Sequence, residues 1–84
     1  ISNKMASIMK DMSQYMQVFT ITHLPQIAAK GAHHFKVFKV DNDASTATQL
    51  KKLNTNERLE EIAQMLSGKE ITETAKQHAQ QLLN

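Results

Sequence analysis

The 84-residue sequence has no cysteine, no tryptophan, one proline and two glycines. The lack of cysteine excludes disulfide bonds and thiolate zinc sites. A chain of this length buries only about 60% of its unfolded surface, so we expect a thin core. The glycines, Gly31 and Gly68, are too far apart to build a phosphate loop of the GxxxxGK[ST] or GxGxxG kind.

Long apolar runs and blocks of like charge are also missing. No stretch approaches the roughly 20 apolar residues that span a bilayer, so we expect no membrane partner. The net charge of +2 favours a polyanionic partner only weakly. With 40% hydrophobic residues the chain is too apolar for a disordered tail. We therefore predict a single cytoplasmic unit over residues 1–84.

The first segment of the chain has helical periodicity. Its apolar residues recur at helical spacings, and they are Ile1, Met5, Ile8, Met9, Met12 and Met16. This pattern predicts an amphipathic helix whose apolar stripe faces the core. The methionines also leave open an adaptable surface that docks on a partner.

Residues 18–22 are β-branched or aromatic and are apolar on both faces. They predict a strand buried on both sides, as in a parallel sheet covered by helices. A helix leading into such a strand is the second half of a β-α-β unit, whose first strand we expect before Ile1. Pro25 predicts the start of a short helix, and Gly31 predicts its left-handed end.

The remaining elements follow from turn and capping residues. Residues 34–40 and 45–53 predict the two strands of an antiparallel hairpin around turn residues 41–44. Asn54 and Glu57 predict a capping box for a helix that ends at Gly68, and Thr72 predicts the cap of a last helix. The expected inward residues are Leu59, Ile62, Ala63, Leu66, Ala75, Ala79, Leu82 and Leu83. The predicted fold is α/β, in the order helix, strand, short helix, β-hairpin, helix, helix.

Candidate chemistry rests on four histidines. His33 and His34 are adjacent in a predicted strand and point to opposite faces, which disfavours a shared metal ion. We interpret them as a solvated strand start, and His78 as a surface residue. His23 follows the predicted buried strand, at the sheet edge where α/β proteins bind ligands. Its position alone leaves open a phosphate contact or a loop histidine satisfied by backbone groups.

Three sequence blocks carry a family resemblance. They are QVFTITHLPQIAA at residues 17–29, HFKV at residues 34–37 and ERLEEIAQML at residues 57–66. In this order they resemble the C-terminal part of the RecN family, bacterial DNA repair proteins of the structural-maintenance-of-chromosomes (SMC) type. These proteins have an ABC-type, P-loop ATPase head. The resemblance covers nearly the whole chain.

The resemblance implies roles for individual residues. It makes His23 the switch histidine, which contacts the ATP γ-phosphate and helps to orient the hydrolytic water. Thr22 and Gln26 would position this loop. Ser2 would lie near the interface between two heads, although Asn3 departs from the glycine that is common there.

The same resemblance implies partners and cofactors for an intact parent protein. These are ATP and magnesium, the remainder of the head, a second head in an ATP-sandwiched homodimer, and DNA in recombinational double-strand break repair at the nucleoid. The chain has no Walker A, Walker B or signature motif, so we expect it to be a C-terminal fragment. By itself it should be inactive as an ATPase and open to self-association.

Two other functions stay open. The first is a freestanding interaction or dimerisation module that uses the methionine-rich first helix. The second is direct DNA binding through a basic hairpin face, with the lysines Lys30, Lys36, Lys39, Lys51 and Lys52. Lysines on an exposed hairpin also serve solubility and edge protection, so they do not by themselves predict a DNA site.

Overall fold

The computed structural model describes residues 2–68 and 70–84, without the side chain of Ser2. Its elements are α1 (Ser2–Met12), α2 (Pro25–Lys30), β1 (Phe35–Asp41), β2 (Thr46–Lys52), α3 (Thr55–Ser67) and α4 (Glu73–Leu83). The succession of four helices around a hairpin is confirmed, and the predicted strand between α1 and α2 is not formed. Within the described residues, no helix is both long and apolar enough to cross a membrane.

The core lies between α2, α3 and α4. Ile62 and Ala63 of α3 are fully buried together with Ala79 of α4. Partly buried apolar side chains surround this cluster, namely Ala28, Leu59, Met65, Leu66, Leu82 and Leu83. The predicted inward faces of the last two helices are therefore confirmed. Because most of the buried residues are alanines, the helices pack closely around a small core.

The predicted core stripe of α1 is wrong. Met5, Ile8 and Met12 are 48%, 53% and 41% exposed, whereas Ala6 is buried. The physical reason is that α1 packs only against the short helix α2 among the described elements. On α1 the small Ala6 is buried, and no other described element covers the stripe. Ile1, the first residue of the predicted stripe, lies outside the described residues.

The predicted buried strand at residues 18–22 is also wrong. These residues have no regular secondary structure, and Phe19 and Ile21 are 81% and 103% exposed. A strand needs a neighbouring strand for its backbone hydrogen bonds. The two strands among the described residues pair with each other, so residues 18–22 have none beside them.

The helix ends match the capping predictions except at one glycine. The Asn54 side chain accepts the N–H of Glu57, and the Glu57 carboxylate accepts the N–H of Asn54. Gly68 ends α3 at a φ of 89°, a region that favours glycine. Gly31 was predicted to be left-handed, but its φ is −67°. That prediction is wrong because the carbonyls at this helix end are bound by a side chain from α3.

The hairpin presents two different faces. β1 and β2 pair antiparallel with Val37 opposite Leu50 and Lys36 opposite Lys51. On one face, Lys36 and Lys51 form ion pairs with Glu61 and Glu57 of α3.

The other face of the hairpin carries exposed apolar side chains alongside Lys39 and Lys52. It carries Phe35, Val37 and Leu50, which are 48%, 65% and 66% exposed. The ion pairs of Lys36 and Lys51 thus join the hairpin to α3, while Phe35, Val37 and Leu50 face outwards. Phe38 lies half-buried on the same face as Lys36 and Lys51.

Candidate functional site

His23 lies at an exposed bend between α2 and residues 17–22, which have no regular secondary structure. The Oγ1 atom of Thr22 accepts the backbone N–H of Leu24 at 3.0 Å, which bridges the bend at His23. The carbonyl of Leu24 then accepts the N–H groups of Ile27 and Ala28, each at 3.1 Å. The bend is therefore bonded directly to the first turn of α2. His23 is presented to the outside on a loop with a defined backbone.

The other predicted site residues have different surroundings. Thr22 and Gln26 are half-buried on either side of the exposed His23. The Thr22 hydroxyl holds the backbone of the loop, and its predicted role next to a nucleotide stays a prediction. The side chain of Ser2 lies outside the described residues, so its predicted place at a head–head interface also stays a prediction.

Arg58 is a further residue of this region that the sequence patterns do not single out. Its Nη2 atom donates to the carbonyl oxygens of Ala28 at 3.1 Å and Ala29 at 3.0 Å, and also to that of Gly31. These carbonyls stand at the C-terminal end of α2. Burial lowers the pKa of Arg58, although a guanidinium in a protein stays protonated. The available signal in the sequence is that Arg58 is the one arginine beside nine lysines.

His34 lies near Arg58 and is only partly solvated. Its Nδ1 atom is buried without a hydrogen-bond partner. Burial lowers the pKa of His34, with smaller contributions in the same direction from Arg58 and Lys36 and an opposing one from Glu61. The prediction of a solvated histidine is therefore wrong for His34, because its side chain is half-buried near Arg58 and Glu61 of α3. His33 and His78 are exposed, as predicted.

Neither a metal cluster nor a continuous basic face is formed by the described residues. Within residues 2–68 and 70–84, no group of three or more histidine, aspartate or glutamate side chains could hold a metal ion. Lys36 and Lys51 point towards α3 and are paired with Glu61 and Glu57. Lys39 and Lys52 lie on the opposite face of the hairpin. The four hairpin lysines considered for DNA binding are thus divided between two faces, and two of them are paired with acids. The fifth, Lys30, lies at the end of α2.

The similarity to known proteins extends across the whole chain. It is 40% identical over 84 residues to the DNA repair protein RecN of Rickettsia felis. It is 41% identical over 88 aligned residues to RecN of Haemophilus influenzae, again across the whole chain. The chain is homologous to part of RecN. RecN of Deinococcus radiodurans is 51% identical over 67 residues, which is 80% of this chain.

The match covers a small share of each RecN protein. The chain spans 15% of the length of the Rickettsia felis protein and 16% of the Haemophilus influenzae protein. It corresponds to the C-terminal part of RecN. No family model matches the sequence. The resemblance stated from the sequence blocks is confirmed by these relatives.

Proposed function

We propose that this chain is a C-terminal segment of a RecN-type ATPase head that acts in DNA repair. In this role His23 contacts the γ-phosphate of ATP and orients the attacking water. The observation that carries the proposal is the exposed His23 on a loop whose bend is bonded to α2. An imidazole N–H at this position is free to donate to a phosphate oxygen.

The apolar segment before His23 supports the same proposal. Phe19 and Ile21 are almost entirely exposed, in a segment rich in β-branched and aromatic residues. Such residues suit a strand with neighbours on both sides. We infer that other strands of the RecN head pair with residues 18–22. His23 would then stand at the carboxyl edge of that sheet, where α/β proteins bind ligands.

The described residues fit one part of a nucleotide site. His23 fits a phosphate oxygen, because its side chain is exposed and carries a hydrogen-bond donor. ATP, when bound, supplies the phosphoryl group that is transferred to water. We assign no magnesium ligand to the described residues, since they contain no cluster of suitable side chains. By itself the chain should therefore neither bind ATP tightly nor hydrolyse it, because one phosphate contact is too little.

The test is a chimera of Haemophilus influenzae RecN in which this chain replaces the homologous segment. We expect His23→Ala to lower the rate of ATP hydrolysis about a hundredfold, the scale of a lost acid–base or water-orienting group. Binding of a fluorescent ATP analogue should stay nearly unchanged, because the other phosphate contacts come from elsewhere in the head.

His78→Ala is the matched control, since His78 is an exposed histidine on α4. It should leave both hydrolysis and nucleotide binding as they are in the parent chimera. Unchanged hydrolysis in the His23→Ala chimera would remove the proposed role of this histidine.

A second candidate function is a self-associating or partner-binding module that uses α1. The observation in its favour is the exposure of Met5, Ile8 and Met12 on one helix. Methionine-rich surfaces adapt to different partners. Sedimentation velocity on the chain with Ile8→Lys discriminates the two functions. The module requires this substitution to abolish association, whereas the ATPase segment does not.

A further inference from the structure

Arg58 supplies hydrogen bonds that α2 cannot make within itself. The last carbonyls of a helix have no partner inside the helix. At the end of α2, the Nη2 atom of Arg58 donates hydrogen bonds to the carbonyl oxygens of Ala28, Ala29 and Gly31. A cation at a helix C-terminus also complements the helix dipole. One side chain from α3 therefore satisfies several unpaired acceptors of α2.

α2 depends on such outside support because it is short. It has six residues, and isolated helices of this length are not stable in water. Its N-cap residue, Leu24, makes no side-chain capping bond, and Gly31 at the other end has extended backbone angles. The bonds from Arg58 cross a sequence separation of 27 to 30 residues. They tie the position of α2 to the buried face of α3.

We propose that Arg58 is a positioning residue for the His23 loop. α2 starts two residues after His23, and the Leu24 carbonyl bonds the loop to the first turn of the helix. A change at the C-terminal end of α2 is therefore passed to His23 through a short, hydrogen-bonded segment. The link to catalysis rests on the proposed function of His23, but the hold of Arg58 on α2 does not.

Lysine is not an adequate replacement in this position. A guanidinium is planar and offers several N–H donors in a fixed arrangement, whereas an ammonium is a compact point charge on a flexible stem. Arg58→Lys should therefore keep the charge and restore only part of the hold on α2. Arg58→Met keeps much of the apolar stem and removes all of the donors.

The first test uses the 84-residue chain and nuclear magnetic resonance. We expect Arg58→Met to raise the amide exchange rates of Ile27 and Ala28 about tenfold to a hundredfold, the scale of lost hydrogen bonds to a charged group. The ¹³Cα shifts of α2 should move towards random-coil values, and the ring signals of His23 should shift.

The control for this test is Lys51→Met, which removes another cation paired with α3. Lys51 pairs with Glu57, and its strand β2 does not pack against α2 among the described elements. Equal changes of α2 in Arg58→Met and Lys51→Met would overturn the proposal. A uniform loss of protection across α2, α3 and α4 would also overturn it, since Arg58 would then act on global stability alone.

The second test measures ATP hydrolysis in the RecN chimera. Arg58→Met should lower kcat about tenfold with KM for ATP unchanged, and Arg58→Lys should recover part of the loss. In the His23→Ala background, Arg58→Met should have no further effect. Equal losses with and without His23 would overturn the coupling between the two residues.

The two tests separate this inference from the proposed function. If His23→Ala leaves hydrolysis intact, the proposed function fails and Arg58 has no catalytic loop to position in this reaction. The exchange and chemical-shift measurements still decide whether Arg58 holds α2 and the His23 bend, because they do not depend on ATP.

Discussion

At the scale of single residues, His34 has the most unusual environment. It is one of two adjacent histidines just before β1, and the two differ in burial. His33 faces solvent, whereas His34 turns towards α3 and leaves a buried Nδ1 without a partner. The charged groups that face it are Arg58 and Glu61 from α3 and Lys36 from β1. Burial and the two cations lower the pKa of His34, and Glu61 opposes them.

This environment predicts a dependence of stability on pH. The unfolded chain has the ordinary histidine pKa of 6.5, and the folded chain has a lower one. Between the two values the unfolded state binds more protons, so the free energy of unfolding falls as the pH falls below about 6.5. Urea titrations at about pH 7.5 and about pH 5.5 measure this loss, and His34→Gln should reduce it.

His33→Gln is the control for the pH prediction, because the exposed His33 is the direct neighbour of His34 in the sequence. It should keep the pH dependence of the unsubstituted chain. If both glutamine variants lose stability on acidification to the same extent as the unsubstituted chain, the assignment to His34 is wrong.

At the scale of elements, the Glu57 carboxylate at the start of α3 has two roles. Glu57 accepts the backbone N–H of Asn54 in the capping box and also pairs with Lys51 of β2. These hydrogen bonds lower the pKa of Glu57, with the backbone bond as the largest cause. The cap therefore helps to attach the hairpin to the helices.

The capping box predicts a measurable cost when its first residue is truncated. Asn54→Ala leaves the N–H of Glu57 without its side-chain acceptor, so we expect a loss of about 1 kcal/mol in the free energy of unfolding. Chemical denaturation followed by circular dichroism measures the loss. Asn56→Ala, an exposed position in the first turn of the same helix, should change stability by less than about 0.5 kcal/mol. Equal losses in the two variants would contradict the capping role.

The elements also show which patterns translate directly into structure. The capping residues Asn54 and Thr72 act within one helical turn, so their roles follow from local spacing. The role of Gly68 is also local, because its positive φ comes at the end of a helix that capping residues predict from the sequence. Gly31 is different because its carbonyl is bound by Arg58 from another helix. That contact removes the need for a left-handed turn, and no local pattern predicts it.

At the scale of the whole molecule, the chain is more open than a compact domain of its size. Its radius of gyration is 14.3 Å, against about 12 Å expected for a compact chain of the same length. Large apolar side chains are exposed on α1, on residues 15–21 and on the outer hairpin face, among them Met5, Ile8, Phe19, Ile21 and Leu50. Apolar surface of this extent favours contacts with other polypeptide.

We therefore predict that the chain self-associates through residues 18–22. Phe19→Ser combined with Ile21→Ser should reduce the sedimentation coefficient at high concentration, since these large apolar side chains are 81% and 103% exposed. The same pair should change stability by less than about 0.5 kcal/mol, because both side chains are almost entirely exposed.

A matched pair on α1 tests the location of this association. Met5→Ser combined with Ile8→Ser removes similar apolar area from a different surface. If this pair abolishes association and the Phe19 and Ile21 pair does not, the interface is on α1. A chain that stays monomeric at high concentration contradicts both assignments.

The sequence by itself determined the order of the four helices and the hairpin, the caps of α3 and α4 and their inward faces. It also determined the relation to RecN through blocks such as the one that contains His23. These features depend on neighbours a few residues apart, whose spacing sets backbone geometry and helix faces. Tertiary structure alone decided that Phe19 and Ile21 are exposed, that His34 is partly buried and that Arg58 binds the end of α2. Each of these depends on which distant segment lies alongside, and periodicity within one segment does not specify that neighbour.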